Sequence, residues 1–483
     1  MIGNKPASKT RTTALVKGGF LICAHKYTHP HHKKCRRASY TMSMYLFELF
    51  KSKRFWLVVL VAWLITGGAY YWQNVYDTRN TSFKTPEERD LYVRFEMEAY
   101  DSIKINYWKK LEEADLAQLF QLSLAKAGNL PAPPALATND RAGTAKMLAD
   151  SFNSATSTEA RKQLALNTLI VALYNLSPAG RNSLYTSKEE TAMRQEVANV
   201  NPEADLYSDL GLARGASVAE VDSAYKEKEA VLAQATTAEA KAELERLTYA
   251  HKVLANAENK TRYDEAKIEP TTFARVLGKT LYISMDKISP TTLQEFGTAI
   301  DHASTTPDLS SMILDLRGNI GGSLDFPAYF LGLFVGQNQY AFDLYKQGDY
   351  EAQRTVIGKF DELSRYKEIA ILTDNMTQST AEVLTAMFKH FNLARVVGTA
   401  TRGWGTVENT FPLQNVIDPS EKYTLFLVRY LTLRDDGQPI EGAGVDPDVN
   451  TNDKDWREQL GAHFHSQSLI NAISQTAGKP PLQ

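Results

Sequence analysis

Short apolar runs of strand length alternate with amphipathic segments of helical spacing from about residue 273 to residue 450. The predicted strands are 279–285, 310–316, 368–374, 394–400 and 422–433. Helical segments separate several of these strands, and two of them are 290–303 and the stretch that follows Ser379. The alternation predicts an α+β fold with a sheet at its centre.

The first half of the chain has helical spacing instead. Residues 84–200 are expected to form a helical N-terminal region, with a Pro/Ala-rich loop at 129–140. A second compact helical unit is predicted at 206–268, where Ser217 and Glu220 have the spacing of a capping box. Residues 453–483 are assigned to a C-terminal tail.

A strongly apolar segment at 55–73 predicts a transmembrane signal anchor. Residues 55–72 carry no charged side chain, and Trp56 and Trp72 stand at the two ends. The basic tail 1–54 would stay in the cytoplasm by the positive-inside rule, which places the body outside it, in a periplasm or in the extracellular space. A cleaved signal peptide is the alternative interpretation.

Charge is distributed unevenly along the 483 residues, whose formal net charge is −2. The tail 1–54 holds 12 of the 54 Lys and Arg residues but only one of the 56 acidic residues, so the rest of the chain has a net charge of −13. An acidic body argues against nucleic acid as a partner. Both cysteines, Cys23 and Cys35, lie in the tail with a spacing that fits no zinc module. No metal or organic cofactor is predicted.

Two segments of the body carry candidate chemistry. In ILDLRGNIGG (313–322) a strand enters a glycine turn, whose backbone N–H groups can point into a cavity as an oxyanion hole requires. In TDNMTQSTAE (373–382) Ser379 follows a strand and opens a helix. Ser379 is therefore either a nucleophile or an ordinary N-cap residue.

These two segments, followed by RVVGTATRGWGTVE (395–408) and IEGAGVDPDV (440–449), resemble the motifs of the C-terminal processing, or tail-specific, serine peptidases in order and spacing. The resemblance covers about 273–452 and implies a ClpP/crotonase-like peptidase domain. It also implies Ser379 as the nucleophile. The implied oxyanion hole consists of the Gly321 and Gly322 backbone and the N–H of Thr380.

The resemblance also implies a general base that this sequence lacks. The family's lysine falls at position 404, which is Trp404 here, and an indole N–H cannot accept a proton. A tricorn-type branch of the family uses Ser, His and Glu instead. That branch suggests Glu441 as an orienting carboxylate and His302 as a tentative base, although no motif places His302 at the site.

The unit 206–268 resembles the J domain of DnaJ-type co-chaperones in LYSDLGLARGAS and YAHKVLANAENKTRYDE. It stands where the peptidase family has its PDZ domain. The His-Pro-Asp triplet expected near 233–235 is replaced by Ala-Gln-Ala, which argues against co-chaperone activity. We expect a spacer or a protein-interaction module.

Two functions follow from these patterns. The first is a membrane-anchored, extracytoplasmic serine peptidase that cleaves polypeptides through a Ser379 acyl-enzyme. The second is an inactive pseudopeptidase that binds peptides or acts as a scaffold, which the loss of the lysine at position 404 favours.

Overall fold

The computed structural model describes residues 83–234, 236–479 and 481. The basic tail and the predicted anchor at 55–73 lie outside these ranges, as does Ala235 of the replaced triplet. Across the described ranges, no helix combines the length and the apolar character that a bilayer span needs.

Helices form most of the N-terminal part, as predicted. They are α1 (Leu91–Asn106), α2 (Glu113–Ala127), α3 (Arg141–Asn153), α4 (Thr158–Tyr174) and α5 (Ser187–Val197). Asp90 caps α1 by accepting from Tyr92 N–H and Val93 N–H, and Thr186 with Glu189 closes a capping box on α5.

Residues 206–266 form a helical unit with a core of its own. Its helices are α6 (Leu206–Asp209), α7 (Val218–Leu232), α8 (Ala238–Leu254) and α9 (Ala257–Ala266). The predicted capping box of Ser217 and Glu220 is present at the start of α7. The buried side chains of this unit include Tyr207, Val221, Leu247 and Tyr263. The helical prediction is confirmed, and the likeness to a J domain stays a prediction.

Two sheets lie in the described chain. Their strands are β1 (Ser183–Thr186), β2 (Thr272–Leu277), β3 (Thr280–Met285), β4 (Ser311–Asp315), β5 (Tyr340–Lys346), β6 (Asp349–Arg354), β7 (Glu368–Thr373), β8 (Arg395–Gly398), β9 (Thr406–Pro412), β10 (Tyr423–Leu433) and β11 (Val449–Asn450). The predicted mixed α and β class is confirmed.

The first sheet has six strands in the order β11-β8-β7-β4-β3-β2. Its inner strands are parallel, and β2 pairs antiparallel with β3 at one edge. Three helices pack on one face, namely α10 (Thr292–Ser304), α11 (Phe326–Val335) and α12 (Thr380–His390). The carboxyl ends of β4 and β7 lead into the glycine turn and the Ser379 turn, so parallel pairing brings these two turns together.

The second sheet joins the N-terminal helices to the C-terminal half. The long strand β10 pairs with β1, β5 and β9, and β6 pairs with β5. The buried face of this sheet shares one core with α1 to α4. Residues 84–200 are therefore packed as part of the same body as β9 and β10, and the chain segment before β1 is held near β9.

The last described residues differ from the expected tail. They form α13 (Trp456–His463) and α14 (Gln467–Thr476), which cover the second face of the six-stranded sheet. Trp456, Leu460 and Leu469 are buried there against side chains of β3, β4, β7 and β8. These apolar positions recur at helical spacing, which explains why the segment folds onto the sheet.

Candidate active site

Ser379 lies in a strained turn between β7 and α12. Its φ is +57° and its ψ is −128°, a conformation that side chains other than glycine rarely adopt and that costs on the order of 1–3 kcal/mol. Such strained strand-to-helix turns expose a serine hydroxyl at the end of a sheet in many hydrolases. Ser379 is also the N-cap residue of α12, so the two interpretations of the sequence do not exclude each other.

The glycine turn after β4 is in close contact with Ser379. A Cβ atom on Gly321 would lie 2.7 Å from the Cβ of Ser379, and one on Gly322 would lie 1.8 Å from the carbonyl oxygen of Ile288. Gly321 also has a φ of +83°. Only glycine fits both positions, because a side chain at Gly321 would collide with Ser379 and one at Gly322 with the Ile288 backbone.

Two backbone N–H groups are available beside the serine. Among the described residues, the N–H groups of Gly322 and Thr380 have no acceptor. The hydroxyl of Thr380 donates to the Gly322 carbonyl oxygen at 3.0 Å, which holds the two peptides together. The N–H of Gly321 already donates to Asn319 Oδ1 at 2.8 Å. Of the three expected oxyanion donors, the geometry favours Gly322 and Thr380 over Gly321.

The buried carboxylate of Glu382 fixes the loop that carries Trp404. It accepts from the N–H of Ser379 at 2.8 Å, from Trp404 N–H at 2.7 Å and from Gly403 N–H at 2.7 Å. The hydroxyl of Thr401 donates to it at 2.6 Å. The backbone at Ser379 and the backbone at Trp404 therefore share one acceptor, and the position of the missing lysine lies next to the serine.

Two guanidinium groups stack on the Trp404 indole. The guanidinium carbon of Arg181 lies 3.6 Å from the ring centroid and that of Arg402 lies 4.6 Å away. Arg181, which precedes β1, also donates to Thr406 Oγ1 at 2.8 Å and to Glu441 Oε1 at 3.2 Å. Burial lowers the pKa of Arg181. Sequence patterns gave no signal for Arg181, because it is held here by contacts 225 and 260 residues away.

The two tentative base residues occupy different surroundings. Glu441 Oε2 accepts from Gly405 N–H at 2.9 Å, and burial raises the pKa of the Glu441 carboxyl. Glu441 thus supports the Trp404 loop and does not line the cavities at Ser379. His302 is exposed on α10 and lines a separate cavity. The structure does not bring His302 to Ser379.

Two adjoining cavities of about 330 and 390 Å³ contain Ser379. Their titratable lining residues are Arg181, Tyr185, Glu196, Lys287 and Glu408. Apolar side chains complete the walls, among them Met193, Val197, Leu324, Val407 and Phe426. Within the described ranges no group of three or more His, Cys, Asp and Glu side chains is placed to hold a metal ion.

Glu408 on β9 is the titratable residue that lines both cavities together with Ser379. It accepts from Thr406 Oγ1 at 2.5 Å, and burial raises the pKa of its carboxyl. Glu408 was not among the site residues predicted from the sequence. The available signal was its position four residues after Trp404, at the start of a strand next to the glycine-rich loop.

Comparison with known proteins agrees with the resemblance of the motifs. Residues 279–451 match the family model described as Peptidase family S41. A "Probable CtpA-like serine protease" from Staphylococcus aureus (strain N315) is 33% identical over 172 residues, which are 36% of this chain and 33% of that protein. A protein of the same name from Staphylococcus haemolyticus (strain JCSC1435) is 31% identical over 166 residues, which are 34% of this chain and 32% of that protein. The chain spans about a third of the length of these curated relatives.

Solved structures with a related chain course have low identity. The photosystem II D1 C-terminal processing protease is 14% identical with a TM-score of 0.42, over 74% of this chain and 92% of that one. A lipoprotein from Streptococcus agalactiae is 14% identical with a TM-score of 0.38, over 82% of this chain and 98% of that one.

Proposed function

Because residues 279–451 form a domain of peptidase family S41, we propose that this chain hydrolyses polypeptides with Ser379 as its nucleophile. The observation that carries the proposal is the strained Ser379, in contact with Gly321 and flanked by the unpaired N–H groups of Gly322 and Thr380. A chain keeps such strain when the surrounding structure imposes it, and this is common at catalytic positions.

The proposed reaction is acyl transfer through a covalent intermediate. The Ser379 oxygen attacks the substrate carbonyl carbon, and a base takes the hydroxyl proton. The Gly322 and Thr380 N–H groups donate to the oxyanion, and each such donor accounts for about 10²–10³ in rate. The amine leaves with a proton, and water then hydrolyses the acyl-enzyme.

Glu408 is the proton acceptor that we propose for this reaction. Of the other titratable groups in the two cavities, the Arg181 guanidinium stays protonated. Burial raises the pKa of the Tyr185 hydroxyl, so it also keeps its proton. Lys287 Nζ donates to the Glu196 backbone oxygen at 3.0 Å, and Glu196 itself is exposed. Burial raises the pKa of Glu408, which makes its carboxylate a stronger base than an exposed one, acting directly or through one water molecule.

Two further parts of the proposal concern the setting of the enzyme. The apolar segment 55–73 supports a membrane-anchored, extracytoplasmic peptidase, and the helical unit 206–268, with its own core, supports a surface for a protein partner. Protease digestion of intact cells would test the location: the body should be degraded from outside, whereas full protection would contradict it.

The test of the proposed function is labelling with a fluorophosphonate together with casein digestion by the full-length chain. We expect Ser379→Ala to lose both signals, since the nucleophile is removed. Ser364→Ala, an exposed position, should keep both. Labelling that survives in Ser379→Ala would show that another residue reacts.

The pseudopeptidase is the second candidate, and Trp404 is the observation that favours it. An indole in contact with two guanidinium groups stands at the sequence position of the family's lysine. If the wild type neither digests casein nor reacts with the fluorophosphonate, while binding unfolded polypeptide, this second candidate replaces the first.

A further inference from the structure

We propose that a cavity between the helical unit 206–268 and the edge of the six-stranded sheet binds a small anion through carboxylate or phosphate oxygens. The cavity measures about 590 Å³. One side is formed by α8 and the start of α9, and the other side by β2 and α10. It is separate from the two cavities at Ser379, with which it shares no lining residue.

Two residues that line this cavity each have a buried side-chain polar atom without a hydrogen-bond partner among the described residues. The two atoms are Lys252 Nζ on α8 and Thr272 Oγ1 on β2. Thr272 is only 8% exposed. Buried polar atoms in folded proteins are nearly always paired, so two unpaired ones in one cavity indicate a bound group. Both can donate to the same kind of oxygen.

The charges that line the cavity favour an anion over a cation. Five lining side chains are basic or histidine, against two carboxylates. The five are His251, Lys252, Arg262, Arg275 and His302, and the two are Glu258 and Glu295. Two of the five are already paired, His251 with Asp222 at 2.8 Å and Arg262 with Glu295 at 3.0 Å. Lys252 is therefore the group from which an anion would accept a charge-assisted hydrogen bond, and such bonds are stronger than neutral ones.

Both carboxylates are already engaged within the protein. Glu295 accepts from Arg262 Nη1 at 3.0 Å and from the N–H groups of Thr271 and Thr272 at 2.7 and 3.0 Å. Glu258 Oε1 accepts from Gln294 Nε2 at 2.9 Å. Neither carboxylate bonds to Lys252, so the hydrogen-bonding capacity of this ammonium group is left for a ligand.

The surroundings of Lys252 agree with an incomplete site. Burial lowers the pKa of Lys252 to about 7. The negative charge of Asp286 acts in the opposite direction and raises this pKa. The Lys252 ammonium lies over the Phe273 ring, 2.7 Å from the ring centroid. An anion in the cavity would supply the hydrogen-bond acceptors that the protein itself does not provide.

An occupied cavity would join the helical unit to the peptidase domain. Strand β2 pairs with β3, and the residues after β3 reach the site, since Ile288 N–H donates to the Gly321 carbonyl oxygen at 2.9 Å. Because the ion would bind the folded chain and not the unfolded chain, the free energy of unfolding should rise with the ion concentration.

Titration calorimetry on the full-length chain in detergent, with inorganic phosphate and with succinate, tests the proposal. We expect one ion per chain, and the ion that binds more tightly identifies the oxygen type. Lys252→Met and Thr272→Val should each weaken binding about tenfold or more, because each removes a donor to a charged ligand. Lys279→Met, an exposed lysine of the β2–β3 turn, should bind as the wild type does.

The proposal would be overturned if Lys252→Met and Thr272→Val both bound the ion as tightly as the wild type. It would also be overturned if neither ion bound to the wild type at concentrations from 50-fold the protein concentration up to tens of millimolar. Thr272→Val keeps the shape of the side chain, so it stays informative if Lys252→Met fails to fold. Ser379→Ala should bind normally, which separates this result from the fate of the proposed peptidase activity.

Discussion

Ser379 combines two demands that ordinarily fall on different residues. Its backbone has a positive φ that suits glycine, while the proposed chemistry needs a hydroxyl. The neighbouring glycines cannot share this role because they must lie close to the serine and to Ile288. At this residue the chain accepts a cost in stability in return for a positioned oxygen.

A comparison of Ser379→Gly with Ser379→Ala measures that cost. Both variants should be inactive, but the glycine variant should have a free energy of unfolding about 1 kcal/mol higher than the alanine variant, because glycine adopts the positive φ without strain. Urea denaturation gives the difference. At Ser364, whose φ is not positive, glycine should not exceed alanine, and a gain there as large as at Ser379 would contradict the explanation.

The proposed role of Glu408 has a pH signature. Burial raises the pKa of its carboxyl, so activity should rise as the pH passes upward through this raised value and the carboxylate forms. Glu408→Gln should lower the rate of fluorophosphonate labelling about 10²-fold or more and remove this acid limb. Glu196→Gln, which alters an exposed acid of the same cavity, should leave the profile unchanged. An unaltered acid limb in Glu408→Gln would assign the base elsewhere.

At the scale of elements, local sequence patterns predicted the positions of strands that are buried along most of their length. The strands β3, β4, β7, β8 and β10 and the turns after β4 and β7 fall where their apolar runs predict them. Strands β1, β2, β5, β6, β9 and β11 were not predicted. β6 is mostly exposed and β1 has four partly exposed residues, so neither has a clear alternation of apolar and polar positions.

The same limit explains what was missed at the site. Ser379 and the glycine turn are local motifs, and both could be located in the sequence. Arg181 reaches the site because β1 pairs with β10, about 240 residues away in the chain. No local pattern encodes such a pairing, and the roles of Glu382 and Glu408 likewise depend on which loop packs against which strand.

The position of the loop that carries Trp404 depends on the Glu382 carboxylate. Glu382→Gln replaces one acceptor oxygen with an amide group that faces N–H donors. We expect a loss of about 1–3 kcal/mol in the free energy of unfolding, together with reduced labelling of Ser379. Thermal and urea denaturation would measure the loss, and Glu362→Gln, an exposed acid, is the matched control. Unchanged stability in Glu382→Gln would show that the loop is held by other contacts.

At the scale of the whole molecule, the six-stranded sheet is covered on both faces. Helices α10 to α12 lie on one face and α13 and α14 on the other. Arg317, which opens the glycine turn, donates to the Thr476 and Ala477 carbonyl oxygens at 3.2 Å. The C-terminal helices therefore belong to the support of the site, which a mobile tail would not provide.

Leu469→Ala tests this packing. Leu469 is fully buried against the sheet, and a buried leucine truncated to alanine typically costs about 2–5 kcal/mol. The loss should appear as a lower midpoint of urea denaturation. Leu122→Ala, at a position that is 51% exposed, should change the midpoint little. If Leu469→Ala and Leu122→Ala have the same midpoint of urea denaturation, α14 contributes no more to stability than an unpacked tail would.

The contacts of Arg181 bear on when the chain becomes competent during its synthesis. A ribosome releases this arginine long before Thr406 and Glu441, the two residues that hold it beside Trp404. Arg181 can complete both contacts only after translation has passed residue 441. A prematurely ended chain therefore lacks the contacts that hold Arg181 beside Trp404.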